Sequence, residues 1–506
     1  MSRIQLDQNL YEMKGLFYFL LTVLMFSCST NTIFVPLNTD LTAKWDTIRP
    51  LANPDKGWYH HMLDNGIHKY LIQDEKDLTD FPGMDHLYLR LAWAFLEPEE
   101  GKYDWSYIDD IVDKYVPMGH NISFRISCKE TGVAPDAVPK EIDGIRYATP
   151  YWVVQAGAKG IERPEYGSPS WTPDWDDPVY LEKLDNFHKA FAERYDGKEW
   201  LRYIDVGSIG DWGEGHTWSS TRIPPTFKEV ETHINLYLKH YKKTQLIVAD
   251  DLLASTKSEE EKKLLLNYAL KNGISLRDDS PMVKGYMEND LKTWTVRHPE
   301  FFSEPYKTMP TVFELEHYPK VKANGYWLGK NGIDTIPEFG VTGADVFRNS
   351  VKIIRPTYLG YHGYMGEWLK DNPDFTIEIL NICGYWYFPK SVNTTELKNR
   401  KLSFEIEWTN KGVAPAYSAY QLNGKLISAD NSSPEIVFEI EDSGNKNWMP
   451  DTISTEKYTT ILSGKPKGEY WLAIQLFDSK SMRPVDIGLS TEIKNNDYYL
   501  LQKLTF

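Results

Sequence analysis

Three cysteines in 506 residues are too few for a disulfide framework. Cys28, Cys128 and Cys383 lie far apart, in no CxxC spacing, and the latter two sit inside apolar strand-like segments where a thiol acts as a small hydrophobe. Positive charge is also scarce: 56 Lys and Arg stand against 72 Asp and Glu, a net charge of −16. That balance makes nucleic acid and anionic membrane surfaces poor partners, while a neutral glycan is compatible with it. The chain has no GxxxxGK[ST] loop to cradle a phosphate and no GxSxG elbow, which counts against nucleotide hydrolysis and esterase chemistry. HExxH and HxH pairs are missing too, and the adjacent His60 and His61 point to opposite sides of a strand, so no catalytic metal and no cofactor is expected. No tandem repeat or low-complexity tract interrupts the chain.

The longest apolar run, Gly15–Phe26 before Ser27-Cys28, is too short to span a bilayer comfortably. Met13-Lys14, this run and the small residue before Cys resemble a bacterial lipoprotein signal, with Cys28 as the acylated residue. Residues 1–27 are then a signal peptide and 28–50 a linker. The mature chain is then expected to be extracytoplasmic and lipid-anchored to a bacterial membrane, the outer one, with periplasmic or surface display left open.

What the chain has in quantity is aromatic surface: 17 Trp, 32 Tyr and 21 Phe. Across residues 51–380, short apolar runs alternate with longer amphipathic stretches. The runs lie at Gly57–His60, His86–Leu91, Ile122–Ser127, Tyr203–Ile209, Gln245–Asp250, Ile274–Arg277, Thr311–Glu316 and Ile353–Tyr361. Eight such β/α units predict an α/β fold, a (β/α)8 TIM barrel. Thr131–Asp177 is long for a connection and is expected to form cleft wall. From 381 to 506 the pattern changes to strict alternation, as in Leu402–Trp408 and Tyr470–Phe477, with turns at Asn410-Lys411-Gly412 and Asn423-Gly424. This predicts a C-terminal antiparallel β-sandwich, immunoglobulin-like in class, that braces the barrel. The oligomeric state is not legible.

Two acidic strand ends stand out. Gly210-Asp211-Trp212-Gly213-Glu214-Gly215-His216 ends the fourth run, where glycines free the backbone and Trp212 offers a face for a sugar ring. On the seventh run, alternation puts Val312, Glu314 and Glu316 on one face. Two carboxylates at the C-terminal strand ends of a barrel fit glycoside hydrolysis: one gives a proton to the leaving oxygen and the other attacks the anomeric carbon or activates water. The expected acid/base is Glu214 and the expected nucleophile Glu316, with Glu314 next in line; helix capping by Glu214, or Arg pairing by either strand residue, is the structural alternative. Arg90 on the second run would keep one carboxylate ionised, or form an inward salt bridge. Trp58, His60, His216, His317, His362 and Trp368 fall at or beyond strand ends as candidate sugar contacts. Glu367 is a further acidic candidate, and Asp250-Asp251 and Asp278-Asp279 either line the cleft or cap helices.

Arg90, the Leu96-Glu97-Pro98…Tyr103-Asp104-Trp105 loop and Glu on runs four and seven together resemble clan A glycoside hydrolases, over roughly residues 50–380. Asn53–Trp58 with Gly210–Glu214 also resembles a little-described family of bacterial lipoproteins taken to be glycosidases. The resemblance implies a retaining mechanism on a poly- or oligosaccharide. The chain departs from the clan in having Gly213, not Asn, before Glu214, which leaves Asp211 as a substitute acid. A glycan-binding lipoprotein on a barrel without catalysis is the competing class.

Overall fold

A computed structural model describes residues 35–506 except 65, 132, 133, 135, 166, 167, 257, 399, 431 and 441; Cys28 and the signal segment lie outside the described residues. Eight strands close into a barrel: β1 (Gly57–Met62), β2 (Met84–Ala92), β3 (Asn121–Ser127), β4 (Leu201–Asp205), β5 (Gln245–Ala249), β6 (Ser275–Asp278), β7 (Val312–Leu315) and β8 (Tyr358–Tyr361). Neighbours pair in parallel all the way round, and the ring shuts where Tyr358 of β8 meets Gly57 of β1. Each overlaps one of the eight sequence runs, so the predicted (β/α)8 barrel is the fold.

The helices between strands begin where local chemistry lets them. α1 (Pro178–Tyr195) follows Asp177, whose carboxylate accepts from the Val179 and Tyr180 amides, with proline at the first helical position. α2 (Phe227–His240) opens with a capping box between Thr226 and Glu229. Outward strand residues such as Trp58, Phe124, Ile204, Leu276 and Phe313 pack with the helices in the main core.

Inward residues form two levels. At the lower level Tyr59, Tyr88, Tyr203, Ile247, Val312 and Tyr358 make a separate buried cluster that plugs the barrel. Two residues further along their strands come His61, Arg90, Asp205 and Glu314, all buried, with Arg125 and Arg277 beside them. Period-2 alternation thus stacks charge on top of aromatic packing, nearer the C-terminal mouth. The long connection 131–177 folds into a small sheet built from Glu141–Ile142, Ile145–Arg146, Gly160–Glu165 and Ser168–Pro173.

The C-terminal region is a sandwich of two antiparallel sheets. One contains Tyr387–Lys398, Lys401–Asn410 and Ile453–Ile461; the other contains Ile436–Ile440, Gln421–Ser428, Glu469–Asp478 and Tyr498–Thr505. Between them lies a core in which Trp408 and Trp448 stack 4.2 Å apart. The segment expected to be linker differs from its reading: Leu37–Asp40 pairs antiparallel with Asp40 opposite Ser391, and Leu41 enters the sandwich core. Four residues of alternation are too few to signal a strand before its partner is known.

The Asn53–Trp58 motif joins the two units. Lys56 is buried and its ammonium donates to the Asn381 and Tyr385 carbonyls; Asn53 exchanges two hydrogen bonds with the Asp486 backbone; Ser418 donates to Asp55. Burial pulls the Lys56 ammonium down to about 8.

Gly360 is the inward residue of β8 against the aromatic plug. A Cβ there would lie 2.0 Å from the Tyr59 ring. Gly360→Ala should therefore lower the unfolding free energy by about 1–3 kcal/mol through overpacking, read as the urea midpoint. A variant as stable as the parent would mean the plug is looser than described.

Candidate active site

Glu314 projects inward from β7, above Val312, and is held on several sides. Arg125 of β3 donates from Nη2 to Glu314 Oε2 at 2.8 Å, Arg277 Nε of β6 lies 3.1 Å from the same oxygen, and His362 Nε2 is 3.0 Å from Oε1. His362 Nδ1 in turn faces Asp64 Oδ2 at 2.7 Å, and the His61 ring stacks on it at 3.7 Å.

Glu214 arrives on the loop after β4. Its position depends on Gly213, whose φ is +76° and whose Cβ, had it one, would sit 2.5 Å from the Gly207 carbonyl oxygen. No side chain fits before Glu214, which accounts for the glycine where the clan pattern has asparagine. Trp212 is held in the left-handed region at φ 56°, with its amide donating to Lys129 O. The loop delivers Glu214 Oε1 to 2.7 Å from Arg125 Nη1, while Oε2 lies 3.3 Å from His216 Nε2. One guanidinium thus bridges two glutamates. Oxygens of Glu214, Glu314 and Asp279 lie within 4.8 Å of one another.

The charges settle unequally. Burial pushes the Glu314 carboxyl up, but Arg125 and Arg277 outweigh it and hold the group well below the usual range. For Glu214, burial is outweighed by the His216 hydrogen bond and by Arg125 and Arg90, bringing it to about 2. His216 is buried, which alone would lower it, yet bonds to Asp211 and Glu214 raise it well above the ordinary value. Asp279 goes the other way: burial, then Glu214 and Asp251, push it well above. These directions favour the ionised form of both glutamates and the protonated form of His216, and oppose ionisation of Asp279. Arg125 and Arg277 already supply positive charge where the three carboxylates meet.

The glutamates open into a cleft of about 910 Å3 whose wall includes Trp212, Trp218, Tyr286, Thr131 and Lys69. Trp218 is exposed at 69% and stands at the rim. Arg90 belongs to the centre, with Nη1 3.2 Å from Asp64 and 3.7 Å from Glu214. His216, His317 and His362 line the cleft, His317 meeting the Tyr70 hydroxyl at 2.9 Å. Glu316 also lines it, but β7 ends at Leu315, and its carboxylate turns back to the His317 amide and Lys320. Glu314, not Glu316, is the residue opposite Glu214.

Three expected sugar contacts lie elsewhere. Trp58 is an outward residue of β1, packed on Phe81 and Trp368 with its indole donating to Thr376 O. His60 also points outward, onto Tyr70 O and the Tyr361 ring. Trp368 is fully buried on a helix and stacks on Tyr361 at 4.4 Å. On β1 it is Tyr59 and His61 that face inward. Glu367 sits outside the centre, paired with Lys322. Sequence reasoning does not find Arg125, Arg277, His61 and Asp64. For the two arginines the available signal is a charge inside a strand run, as in Ile122–Ser127; His61 and Asp64 carry no such signal.

This fold and site define a (β/α)8 barrel with two facing glutamates at its C-terminal mouth. Residues 75–208 match the model of a family described as Beta-galactosidase. The matched span contains Arg90, the Glu97–Trp105 loop and Arg125, and the resemblance expected from the sequence is borne out there. Among curated proteins, Beta-galactosidase BbgII of Bifidobacterium bifidum is 29% identical over 115 residues, which is 22% of this chain and 14% of that protein. Solved structures similar to the chain include Endo-glycoceramidase II from Rhodococcus sp. (13% identity, 81% of this chain and 99% of that one, TM-score 0.41). Another is the catalytic domain of β-amylase from Paenibacillus polymyxa (10% identity, 65% and 99%, TM-score 0.41). The barrel assignment rests on the strand pairing itself.

His362 lies between two carboxylates. Burial would lower its imidazole, but Asp64 and Glu314 prevail and raise it from 6.5 to about 9. A raised folded value means stability fully present below pH 6.5 and lost as pH rises through about 9. Across that window the parent should lose on the order of 2–3 kcal/mol of unfolding free energy relative to His362→Gln. Urea midpoints at stepped pH read this; a pH-independent gap between the two proteins would show that His362 is neutral.

Proposed function

We propose that the chain is a retaining glycoside hydrolase that cleaves an O-glycosidic bond of an oligo- or polysaccharide, with β-galactosides the first substrates to try. The observation that carries this reading is the approach of Glu214 and Glu314 oxygens to within 4.8 Å at the mouth of the barrel. Retaining enzymes place their two carboxyl groups about 5–5.5 Å apart, and inverting ones about 6.5–9.5 Å.

The surroundings divide the roles. Glu314, buried beneath two arginines, is the ionised nucleophile. Its oxygen bonds to the anomeric carbon as the glycosidic C–O bond breaks, and the leaving oxygen takes a proton from the Glu214–His216 pair. Water then attacks the glycosyl–Glu314 ester; Glu214 accepts the water's proton, the free sugar leaves and Glu314 is again a carboxylate. The pair holds one proton between two coupled groups, so His216 stores the proton that Glu214 uses. Trp212 and Trp218 offer stacking faces along the cleft.

On an aryl β-galactoside, Glu314→Gln should cut kcat by ~10³-fold or more. Glu214→Gln should cost ~10²–10⁴-fold with a poor leaving group and much less with an activated one. NMR of the first-formed anomer should show retention. Inversion would remove Glu314 as nucleophile. If Asp279→Asn were silenced while Glu214→Gln stayed active, the acid would be Asp279. Sugar binding with no turnover on any glycoside would establish the glycan-binding alternative.

We further propose that the chain is held to a bacterial membrane by lipid on Cys28. Among the described residues no helix is long and apolar enough to cross a membrane. Labelled fatty acid should enter the parent and not Cys28→Ser; label retained in the variant would place the anchor elsewhere.

A further inference from the structure

Beside the glutamates, at the ends of β5 and β6, a second group of polar side chains has no part in that chemistry. Asp250 and Asp251 follow β5 directly, Asp278 ends β6, and Arg297-His298 come from the connection between β6 and β7. One oxygen of Asp250, one of Asp251 and a ring nitrogen of His298 lie within 4.8 Å of one another. Asp250 is fully buried, and neither of its oxygens has a hydrogen-bond partner. Asp278 Oδ2 and His298 Nε2 are buried and unpartnered too. Arg297, the basic residue of the group, is already taken by Asp251 Oδ1.

A buried carboxylate without a donor is strongly disfavoured, so Asp250 needs either a proton or a cation. Three features favour the cation. Both Asp250 oxygens are bare, whereas one proton would satisfy a single oxygen. An imidazole nitrogen completes the set, and His298 Nδ1 faces Glu300 Oε1 at 3.4 Å, the carboxylate–imidazole relay that orients metal-bound histidines. Finally, ligand atoms around an ion with bonds of ~2.0–2.2 Å lie at most ~4.4 Å apart, and the three atoms here converge to within 4.8 Å of one another with no ion present.

We propose that Asp250, Asp251 and His298 form a divalent-cation site behind the cleft wall, with Asp278 as a neighbouring countercharge. The mix of carboxylate and imidazole selects Mn2+ or Zn2+ over Ca2+ and Mg2+. The ion ties β5 to the β6–β7 connection. Because Asp251 also lines the cleft, the ion fixes that wall beside Asp279.

The test uses the full-length chain stripped with chelator and titrated with MnCl2 or ZnCl2 by calorimetry, with the melting temperature followed in parallel. The expected result is one ion per chain and a melt raised by several degrees. Asp250→Asn should bind at least ~10-fold more weakly, and His298→Gln ~10-fold. If the parent binds no ion, or if both variants bind as the parent does, the site is refuted. A buried acid is revealed if stripped Asp250→Asn melts above the stripped parent and neither responds to metal. Should Asp250→Asn fail to fold, the half-buried His298 variant decides alone. Binding and melting are read without sugar, so failure of the glycosidase reading leaves this test intact.

Discussion

Everything at the mouth of the barrel depends on the Arg125 guanidinium. Two buried glutamates this close repel strongly, and in a low-dielectric interior neither would stay ionised without an intervening cation. Arg125 supplies that cation with the geometry only a guanidinium has, one terminal nitrogen to each carboxylate. Its third nitrogen donates to the Tyr88 hydroxyl, which donates to Asp205, and Asp205 also receives Arg277. The bridge is therefore one segment of a chain of charge-assisted bonds running from Glu214 down to the aromatic plug. A buried ion network is costly to desolvate; all three guanidinium nitrogens of Arg125 find acceptors, while Arg277 and Arg90 each keep buried nitrogens that rest on longer ion-pair contacts.

That network holds still because of what lies beneath and outside it. The tyrosine-rich plug fills the barrel below the charges, so the arginines cannot sink and their side chains extend toward the mouth. Outside, the Trp58, Trp368 and Phe347 packing locks β1 and β8 to the helices. At the opposite end, Lys56 and Asn53 fasten the sandwich to the start of β1. The Asn53–Trp58 motif that carries part of the family resemblance is a joint, and the sandwich braces the end of the barrel away from the cleft.

The barrel was legible because parallel strands buried on both faces read as apolar runs, and eight of them recur between amphipathic stretches. Glu214 was legible from its glycines, since a loop that crowded presents whatever it carries. The choice between Glu314 and Glu316 was not legible. Alternation places both on one face, and only the end of β7 at Leu315 frees Glu316 to turn back toward Lys320. The inward frame of β1 was also hidden, because Trp58 and Tyr59 are followed by His60 and His61, so each face receives one aromatic and one histidine and the two faces show no contrast. Arg125 and Arg277 were visible as charges within apolar runs, but their convergence on one carboxylate needs the closure of the barrel.

The asymmetry between the two glutamates follows from position on the fold. Glu314 grows from a strand, so it is reached by side chains from β3, β6 and the end of β8, all of them cationic or hydrogen-bond donors. It is fixed and ionised throughout. Glu214 grows from a loop, with its side chain 12% exposed toward the cleft. Of its two oxygens, one is bound to Arg125 and the other faces His216, a group that itself carries a proton. In the proposed mechanism, strand or loop backbone is what separates a static carboxylate from one that exchanges protons. The division requires no difference in residue type, only that the barrel surrounds one glutamate and leaves the other at its rim.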